Sequence, residues 1–459
     1  MLTPSTTRRE ALALSALSVP LLRSQSKSPA SPGPLAFTHT TVIDGTGVVL
    51  PDHTVVVSDG HITAVGQARS VAVPAGANVV DGRGRFIIPG LWDAHAHLSY
   101  FKASALPVLL ANGVTSVRDM GGLLSELDQW RTETDGEIRP GPRIFRAGPI
   151  VNGKQFNEFQ IAVTDAAEAR GAVRALQRAG VDFIKVHAAI SREAYFGVRD
   201  ECQRHHLPFA GHMPRAITPE EASDAGELTL EHAGAFADRI ATAGLPAEDV
   251  AGALARFRQQ DAPALFGRFA KNNTWFTPTL IASQTAIHLG NHRPDQHDRY
   301  VSASCKKITA ELLKRPAYQE LVTPASSARQ QREFRELLQI VELMHREGVQ
   351  LLAGTDFAIS FIYPGFSLHD ELALLGQCGL TPMQALQTAT RNPARVLGQD
   401  KLGTIEPGTF ADLVILDADP LASIQNTRRI QAVVTRGKLL SRPELDQLLE
   451  QAEIEARQS

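Results

Sequence analysis

Two patterns of apolar and polar residues alternate along the chain. In residues 35–90, short segments alternate apolar and polar positions with period two and are separated by turns rich in Gly and Asp, and a similar pattern returns in residues 403–445. Such alternation predicts β-hairpins with one buried face. We therefore expect the two terminal segments to form one small β-sandwich together.

The middle of the chain contains longer apolar runs that alternate with helical patterns, for example at 165–179 and 192–205. This order is typical of parallel βα units. Eight strand-like runs are found, at residues 91–98, 114–119, 143–150, 183–188, 208–213, 228–233, 275–281 and 349–357. Because eight strands close a TIM barrel, the predicted fold class is α/β, with a (β/α)₈ TIM barrel over residues 91–402 joined to the small β-sandwich.

A long insertion separates the seventh and eighth runs. Residues 283–346 are rich in charged residues and helix formers, and they far exceed a usual connection in length. We expect this segment to cover the mouth of the barrel as a lid. Residues 446–459 are expected to form a C-terminal helical tail.

The N-terminus differs from the rest of the chain. Arg8 and Arg9 precede an apolar run at 11–22, and a Ser- and Pro-rich stretch follows up to residue 34. This order predicts a signal peptide and linker, and the paired arginines resemble a twin-arginine export signal. The apolar run is too short for a stable membrane anchor. We expect an exported protein, periplasmic or extracellular; the alternative is a disordered basic leader without an address.

The composition limits the kinds of partner. Of 459 residues, 43% are hydrophobic and 21% charged, and the formal net charge is −3. These values are typical of globular proteins and show no basic excess for nucleic acid. The three cysteines are too widely spaced to hold zinc or form a redox pair. We expect a small-molecule substrate and no nucleic-acid partner, while the oligomeric state, including a homo-oligomer, stays open.

The strongest local signal is His95-Ala96-His97, at the end of the first run. Residues two apart on a strand face the same way, so both imidazoles can bind one metal ion. Further candidate ligands lie at or near the ends of other runs, namely Lys185, His212, His232 and Asp356. Each alone has an ordinary explanation, such as a core histidine or a helix cap. Together they favour a metal site, because TIM barrels carry their active sites on this rim.

This donor set suits metal-dependent hydrolysis. Imidazole and carboxylate bind Zn²⁺, Mn²⁺ or Co²⁺, and a bound metal lowers the pKa of water from near 16 to about 7. Asp356 is the predicted catalytic proton shuttle between the nucleophile and the leaving nitrogen. Lys185 is a poor ligand as an ammonium, because it would repel divalent cations.

These motifs resemble the amidohydrolase superfamily, and within it the branch related to imidazolonepropionase and the zinc-dependent dipeptidases called prolidases. The resemblance is carried by residues 42–47, 88–97, 113–122, 183–186, 210–212, 230–232, 354–356, 390–394, 403–408 and 411–414. It implies two divalent metal ions, zinc by analogy. The implied ligands are His95, His97 and Asp356 for one ion, His212 and His232 for the other, and Lys185, carbamylated by CO₂, between them.

The resemblance also implies hydrolysis of a C–N bond in a dipeptide, an N-acyl amino acid or a related small amide. This chain departs from the dipeptidase pattern, which follows the bridging lysine with Ser-Gly-Gly, because it has Val-His-Ala-Ala-Ile at 186–190. His187 shares a strand face with Lys185 and is predicted to contact substrate, with support of a neighbouring ligand as the alternative. Tyr195 and Arg215 are candidates for binding a substrate carboxylate.

Two other functions stay open at this point. A single metal ion would suit a cyclic amidohydrolase of the imidazolone or lactam type, or a deaminase. A barrel without activity would serve binding or assembly, but the complete set of candidate ligands argues against it.

Overall fold

The computed structural model describes residues 33–459 apart from Leu245, His292 and Pro294. The predicted export signal and linker at 1–34 therefore lie outside the described residues, except for their last two positions. Within the described part of the chain, no helix is both long enough and apolar enough to cross a membrane.

Strands occur at both ends of the chain and through its middle. Those of the described residues are β1 (Leu35–Ile43), β2 (Val49–Ser58), β3 (His61–Gln67), β4 (Asn78–Asp81), β5 (Phe86–Pro89), β6 (Leu91–Ala96), β7 (Val114–Asp119), β8 (Arg143–Arg146), β9 (Ile150–Asn152), β10 (Gln160–Ala162), β11 (Ile184–Val186), β12 (Phe209–His212), β13 (Thr229–Glu231), β14 (Trp275–Thr277), β15 (Leu413–Leu416), β16 (Ile430–Thr435) and β17 (Lys438–Ser441).

Helices fill the connections between the middle strands. They are α1 (Leu98–Phe101), α2 (Ala105–Ala111), α3 (Leu124–Asp135), α4 (Ala166–Arg178), α5 (Arg192–His205), α6 (Pro219–Asp224), α7 (Gly234–Thr242), α8 (Val250–Gln260), α9 (Ala262–Asn272), α10 (Leu280–His288), α11 (Ala303–Leu313), α12 (Pro316–Leu321), α13 (Pro324–Arg346), α14 (Phe366–Gln377), α15 (Pro382–Thr388), α16 (Arg391–Val396) and α17 (Arg442–Gln458). Local sequence explains several starts. The Asp165 carboxylate accepts two backbone N–H groups at the start of α4, and Thr218 and Glu221 form a capping box on α6.

The terminal strands share one eight-stranded sheet. Its order is β17-β16-β15-β5-β1-β2-β3, and β4 pairs with β1. Antiparallel pairing of β5 with β15 joins the two ends of the chain and places Ile87 opposite Ile415. Buried aliphatic side chains from both segments, including Val42 and Leu413, form one cluster. The expectation that the two terminal segments fold together is confirmed, while their division into two facing layers stays a prediction.

The middle strands pair in parallel in two sheets, β6-β7-β8 and β10-β9-β11-β12-β13-β14. The eighth predicted run links them. The Leu352 amide donates to the Phe276 carbonyl of β14 at 2.9 Å, and the Asp356 amide donates to the His95 carbonyl of β6 at 2.7 Å. The carboxyl ends of these parallel strands therefore meet at one edge, where the candidate ligands lie.

Some elements differ from the sequence predictions. The run at 143–150 splits into β8 and β9, and the run at 349–357 makes isolated bridges at Leu351 and Phe357 instead of a regular strand. Residues 280–281 of the seventh run begin α10. The expected insertion is helical, and α13 buries an apolar stripe. Its role as a lid stays a prediction.

Candidate metal centre

Histidines from two strands surround the Asp356 carboxylate. Donor atoms of His95, His232 and Asp356 lie within 4.8 Å of one another. His97 Nε2 is 3.2 Å from Asp356 Oδ1, and His95 Nε2 is 3.5 Å from the same oxygen. His95 is fully buried and His97 is 7% exposed. These four side chains therefore form one compact group of possible metal ligands.

Lys185, His187 and His212 form the other side of the cluster. The ring centroid of His212 lies 4.3 Å from that of His232 and 4.0 Å from that of His187. Lys185 is fully buried, and its Nζ has no hydrogen-bond partner. Burial lowers the pKa of Lys185 to about 8, although neighbouring carboxylates, among them Asp356, favour its charged form. The structure thus brings the six predicted ligands together and adds His187 to them.

Three of the imidazoles share one hydrogen-bonding arrangement. In each, Nδ1 lies at hydrogen-bond distance from an oxygen atom, which leaves Nε2 for another ligand. The pairs are His95 with Glu231 Oε2 at 2.8 Å, His97 with the Gly121 carbonyl at 3.0 Å, and His232 with Thr279 Oγ1 at 2.9 Å. Histidines that bind metals commonly hold their other nitrogen in this way.

Most of the imidazoles in the cluster are unprotonated, so their nitrogen lone pairs are available to a metal ion. Burial holds the pKa of His95 and His212 well below the usual value and lowers the pKa of His232 to about 4. Burial opposes ionisation of Asp356, but the His95 and His232 imidazoles hold its pKa below the ordinary range. His97 differs: burial acts against its cation, yet the hydrogen bond to Asp356 keeps its pKa raised.

The donor atoms fit a divalent metal ion. His95 Nε2, Lys185 Nζ, His212 Nδ1 and His232 Nε2 are buried and lack hydrogen-bond partners. Buried polar atoms are normally paired, so a group of unpaired ones needs an explanation. Neutral imidazoles around a carboxylate are suitable ligands for zinc and similar ions. A metal ion among these atoms would satisfy them together.

Left-handed backbone conformations place two of the ligands. The φ angles are 70° at His232, 58° at Asp356 and 45° at Thr279. Such angles cost about 1–3 kcal/mol for residues other than glycine and often occur at functional sites. Consecutive strand residues normally face opposite sides. The turn at His232 lets both Glu231 and His232 contact His95.

The residues predicted to contact substrate lie in different surroundings. His187 belongs to the cluster, and its contact with substrate stays a prediction. Arg215 is exposed after β12, near Asp238, and its role also stays a prediction. Tyr195 does not fit its predicted role: it is fully buried on α5, and its hydroxyl donates to Glu227 at 2.8 Å. Its amphipathic helix turns the ring toward the core rather than the rim.

Sequence reasoning missed Tyr100, which lies beside the cluster. Its ring packs edge-on against His97 at 5.8 Å between centroids, and its oxygen accepts a hydrogen bond from Asn157 Nδ2 at 2.9 Å. Burial raises the pKa of Tyr100 to about 12, so the phenol keeps its proton. The nearby loop also carries Phe156, which is 58% exposed. The sequence offered one signal for Tyr100, namely an aromatic residue three positions after His97.

Arg118 and Glu231 were missed as well. Both are buried, and their side chains are paired. Burial opposes ionisation of Glu231, but the Arg118 guanidinium and the His95 hydrogen bond hold its pKa well below the usual value. A single arginine within the apolar run at 114–119 was a signal, since a buried arginine needs an acidic partner. The partner itself was not predictable from the sequence.

Comparison with known proteins gives a consistent result. Residues 86–440 match the sequence model of the amidohydrolase family. The chain is 27% identical over 401 residues to an imidazolonepropionase of Mesorhizobium japonicum, and the match covers 80% of this chain and 86% of the relative.

Solved structures resemble the fold closely. A proposed prolidase from Bifidobacterium longum is 26% identical, with a TM-score of 0.70, over 92% of this chain and 99% of the other. The bottromycin amidohydrolase is 25% identical, with a TM-score of 0.76, over 92% of this chain and 90% of the other.

Proposed function

Because the chain belongs to the amidohydrolase family and is a hydrolase acting on carbon–nitrogen bonds, we propose that it cleaves an amide bond of a small peptide-like substrate in a metal-dependent reaction. The observation that carries the proposal is the cluster of buried, unpartnered donor atoms beside Asp356. We also propose that the parallel strands close into a (β/α)₈ barrel, as the bonds of Leu352 and Asp356 to neighbouring strands favour.

The proposed ligand assignment uses both sides of the cluster. One ion would be held by His95, His97 and Asp356, and a second by His212 and His232. The buried amine of Lys185 has no partner. Carbamylation by CO₂ would turn it into an anion that binds both ions. Zinc is the proposed metal, because it suits imidazole and carboxylate ligands.

When bound, the divalent metal supplies a hydroxide nucleophile at neutral pH and polarises the substrate carbonyl. Asp356 is ionised in the resting site, because its pKa is lowered by the His95 and His232 imidazoles despite burial. It accepts the proton released during attack and delivers it to the leaving nitrogen. The C–O bond forms, the C–N bond breaks, and the amine leaves with the proton.

The substrate class is proposed from the relatives and the site. A solved structure of similar fold is described as a prolidase, which favours a dipeptide, an N-acyl amino acid or a related small amide. The similarity to an imidazolonepropionase supports a second candidate, hydrolysis of a cyclic amide at a single metal ion. The number of bound metal ions distinguishes the two.

Location and domain organisation are proposals as well. Arg8, Arg9 and the apolar run at 11–22 support export by the twin-arginine route to the periplasm or outside the cell. We propose a composite terminal domain of residues 35–90 and 403–445, a catalytic domain of residues 91–402 with a lid at 283–346, and a helical tail at 446–459.

The test combines metal analysis of the purified protein with turnover of dipeptides, N-acyl amino acids, lactams and lactones. We expect two metal equivalents and cleavage of a linear amide. Asp356→Asn should lower kcat by about 10²–10⁴-fold, the usual contribution of general acid–base catalysis. Asp370→Asn is the matched control, since Asp370 is paired with Arg428 on the outside of α14. Full activity of Asp356→Asn would contradict the proposed proton transfer.

A further inference from the structure

A buried guanidinium joins three strands beneath the candidate metal centre. Arg118 on β7 is only 1% exposed. Its Nε donates to the Ala94 carbonyl of β6 at 2.6 Å, and its Nη1 donates to Thr229 Oγ1 of β13 at 2.8 Å. Its Nη2 donates to Glu231 Oε1 at 2.8 Å and to Thr277 Oγ1 of β14 at 3.1 Å. Four acceptors on three strands therefore fix the position of one side chain.

The other oxygen of Glu231 reaches a candidate ligand. Glu231 is fully buried, and its Oε2 lies 2.8 Å from His95 Nδ1. A carboxylate that is paired with a guanidinium is an acceptor only. His95 must therefore donate from Nδ1, and the lone pair of Nε2 faces Asp356, whose Oδ1 is 3.5 Å away.

The side-chain hydrogen bonds of this arrangement reach one candidate ligand, His95. The Nδ1 atoms of His97 and His232 lie against the Gly121 carbonyl and the Thr279 hydroxyl, neither of which contacts Arg118. The hydrogen-bonded route from Arg118 to a candidate ligand side chain therefore runs through Glu231 to His95, while the Arg118 charge also acts on the Lys185 ammonium.

We infer that Arg118 and Glu231 are positioning residues that fix the tautomer and orientation of His95 as a metal ligand. The inference rests on the proposed function, because it requires His95 to bind metal. An arginine suits this position, since its planar fork can hold a carboxylate and neighbouring oxygens at once, whereas a lysine is a single point charge. Carboxylates that hold metal-binding histidines typically contribute about 10–100-fold to metal affinity.

The experiment measures zinc affinity by chelator competition and the visible absorption of the cobalt-substituted protein. Glu231→Gln and Arg118→Lys should each weaken zinc binding by about 10–100-fold and alter the cobalt spectrum, with circular dichroism unchanged. Arg146→Lys is the matched control. Arg146 is also a buried arginine paired with a carboxylate, Asp128, but it contacts none of the candidate ligands. The Arg146→Lys variant should have the zinc affinity and the cobalt spectrum of the wild type.

The outcomes separate the inference from the proposed function. A wild-type protein that binds no metal would refute the proposed function itself. A wild type that binds metal, together with a folded Glu231→Gln variant of unchanged affinity and cobalt spectrum, would overturn the inference alone. Equal losses in Arg146→Lys would also overturn it, because the effect would then be general. If Glu231→Gln does not fold, Glu231→Asp keeps the charge but shortens the reach to His95, and unchanged zinc affinity in that variant would overturn the inference.

Discussion

Replacing Gly354 by alanine tests whether the spacing between two ligand-bearing segments controls activity. A Cβ at this position would lie 2.6 Å from the His95 Cβ, 2.8 Å from the His95 backbone nitrogen and 2.8 Å from Thr277 Cγ2. The neighbouring backbone is tied down, because the Ala94 amide donates to the Ala353 carbonyl at 2.9 Å. The contact with a backbone atom cannot be relieved by rotating a side chain.

The size of the displacement follows from these distances. Carbon atoms in contact lie about 3.5–4.0 Å apart, so the two segments must separate by roughly 1 Å. That shift moves His95 away from Asp356. In the wild type, His95 Nε2 lies 3.5 Å from Asp356 Oδ1. Misplacement by about 1 Å can cost about 10²-fold in rate. Overpacking of this kind typically costs about 1–3 kcal/mol of stability.

The assay compares kcat/KM, metal content and urea unfolding of Gly354→Ala with the wild type. Gly376→Ala is the control: it lies in α14, and an added Cβ meets no heavy atom within 4 Å. The control should keep its activity, and its free energy of unfolding should rise by about 0.5–1 kcal/mol, because glycine is a poor helix residue. A Gly354→Ala protein with wild-type turnover and metal content would refute the argument that this spacing sets the site.

Two further predictions concern Tyr100 and His369. Tyr100→Phe removes the hydroxyl that Asn157 contacts beside His97. We predict that this hydroxyl forms a hydrogen bond with substrate, so kcat/KM on the substrate identified in the screen should fall roughly tenfold; an unchanged value would exclude the hydroxyl from substrate binding. Burial lowers the pKa of His369 to about 3, so the stability provided by its neutral form is complete above pH 6.5 and is lost as the pH falls toward 3. Relative to His369→Gln, the free energy of unfolding of the wild type, measured with urea, should fall by about 1.4 kcal/mol between pH 7.5 and 5.5. The same pH dependence of this free energy in both proteins would contradict the prediction.

Much of the fold follows from local patterns, but some strands depend on packing that the sequence does not display. The apolar run at 143–150 predicts one strand. The chain instead bends at Gly148, whose φ is 68° and where a Cβ would lie 2.8 Å from Leu124 Cδ2. The close approach of Leu124, which comes from another element, favours the break. The eighth run likewise takes its place through single bridges to β6 and β14 rather than through its own pattern.

The candidate ligands could be predicted because the ends of parallel strands share one edge, so residues such as His95 and His212 meet wherever the strand order holds. The contacts that orient these ligands could not be predicted from the sequence. Strand alternation predicts that Glu231 and His232 face opposite sides, and only the left-handed φ of 70° at His232 brings both to His95. The partner of the buried Tyr195 hydroxyl, Glu227, is likewise remote in sequence.

The charges around the cluster bear on the proposed metal ions. Arg118 is paired with Glu231, so the negative charge of Glu231 is already balanced. Asp356 stays ionised, while burial and the neighbouring positive groups keep His95 and His232 unprotonated. Without a metal ion, the positive charge beside this buried carboxylate comes from His97, whose pKa is raised, and from Lys185, and a bound divalent ion would take over that role. We infer that the left-handed backbone at His232 and Asp356 is retained because it aims their donor atoms into one cluster, where the two proposed ions would lie.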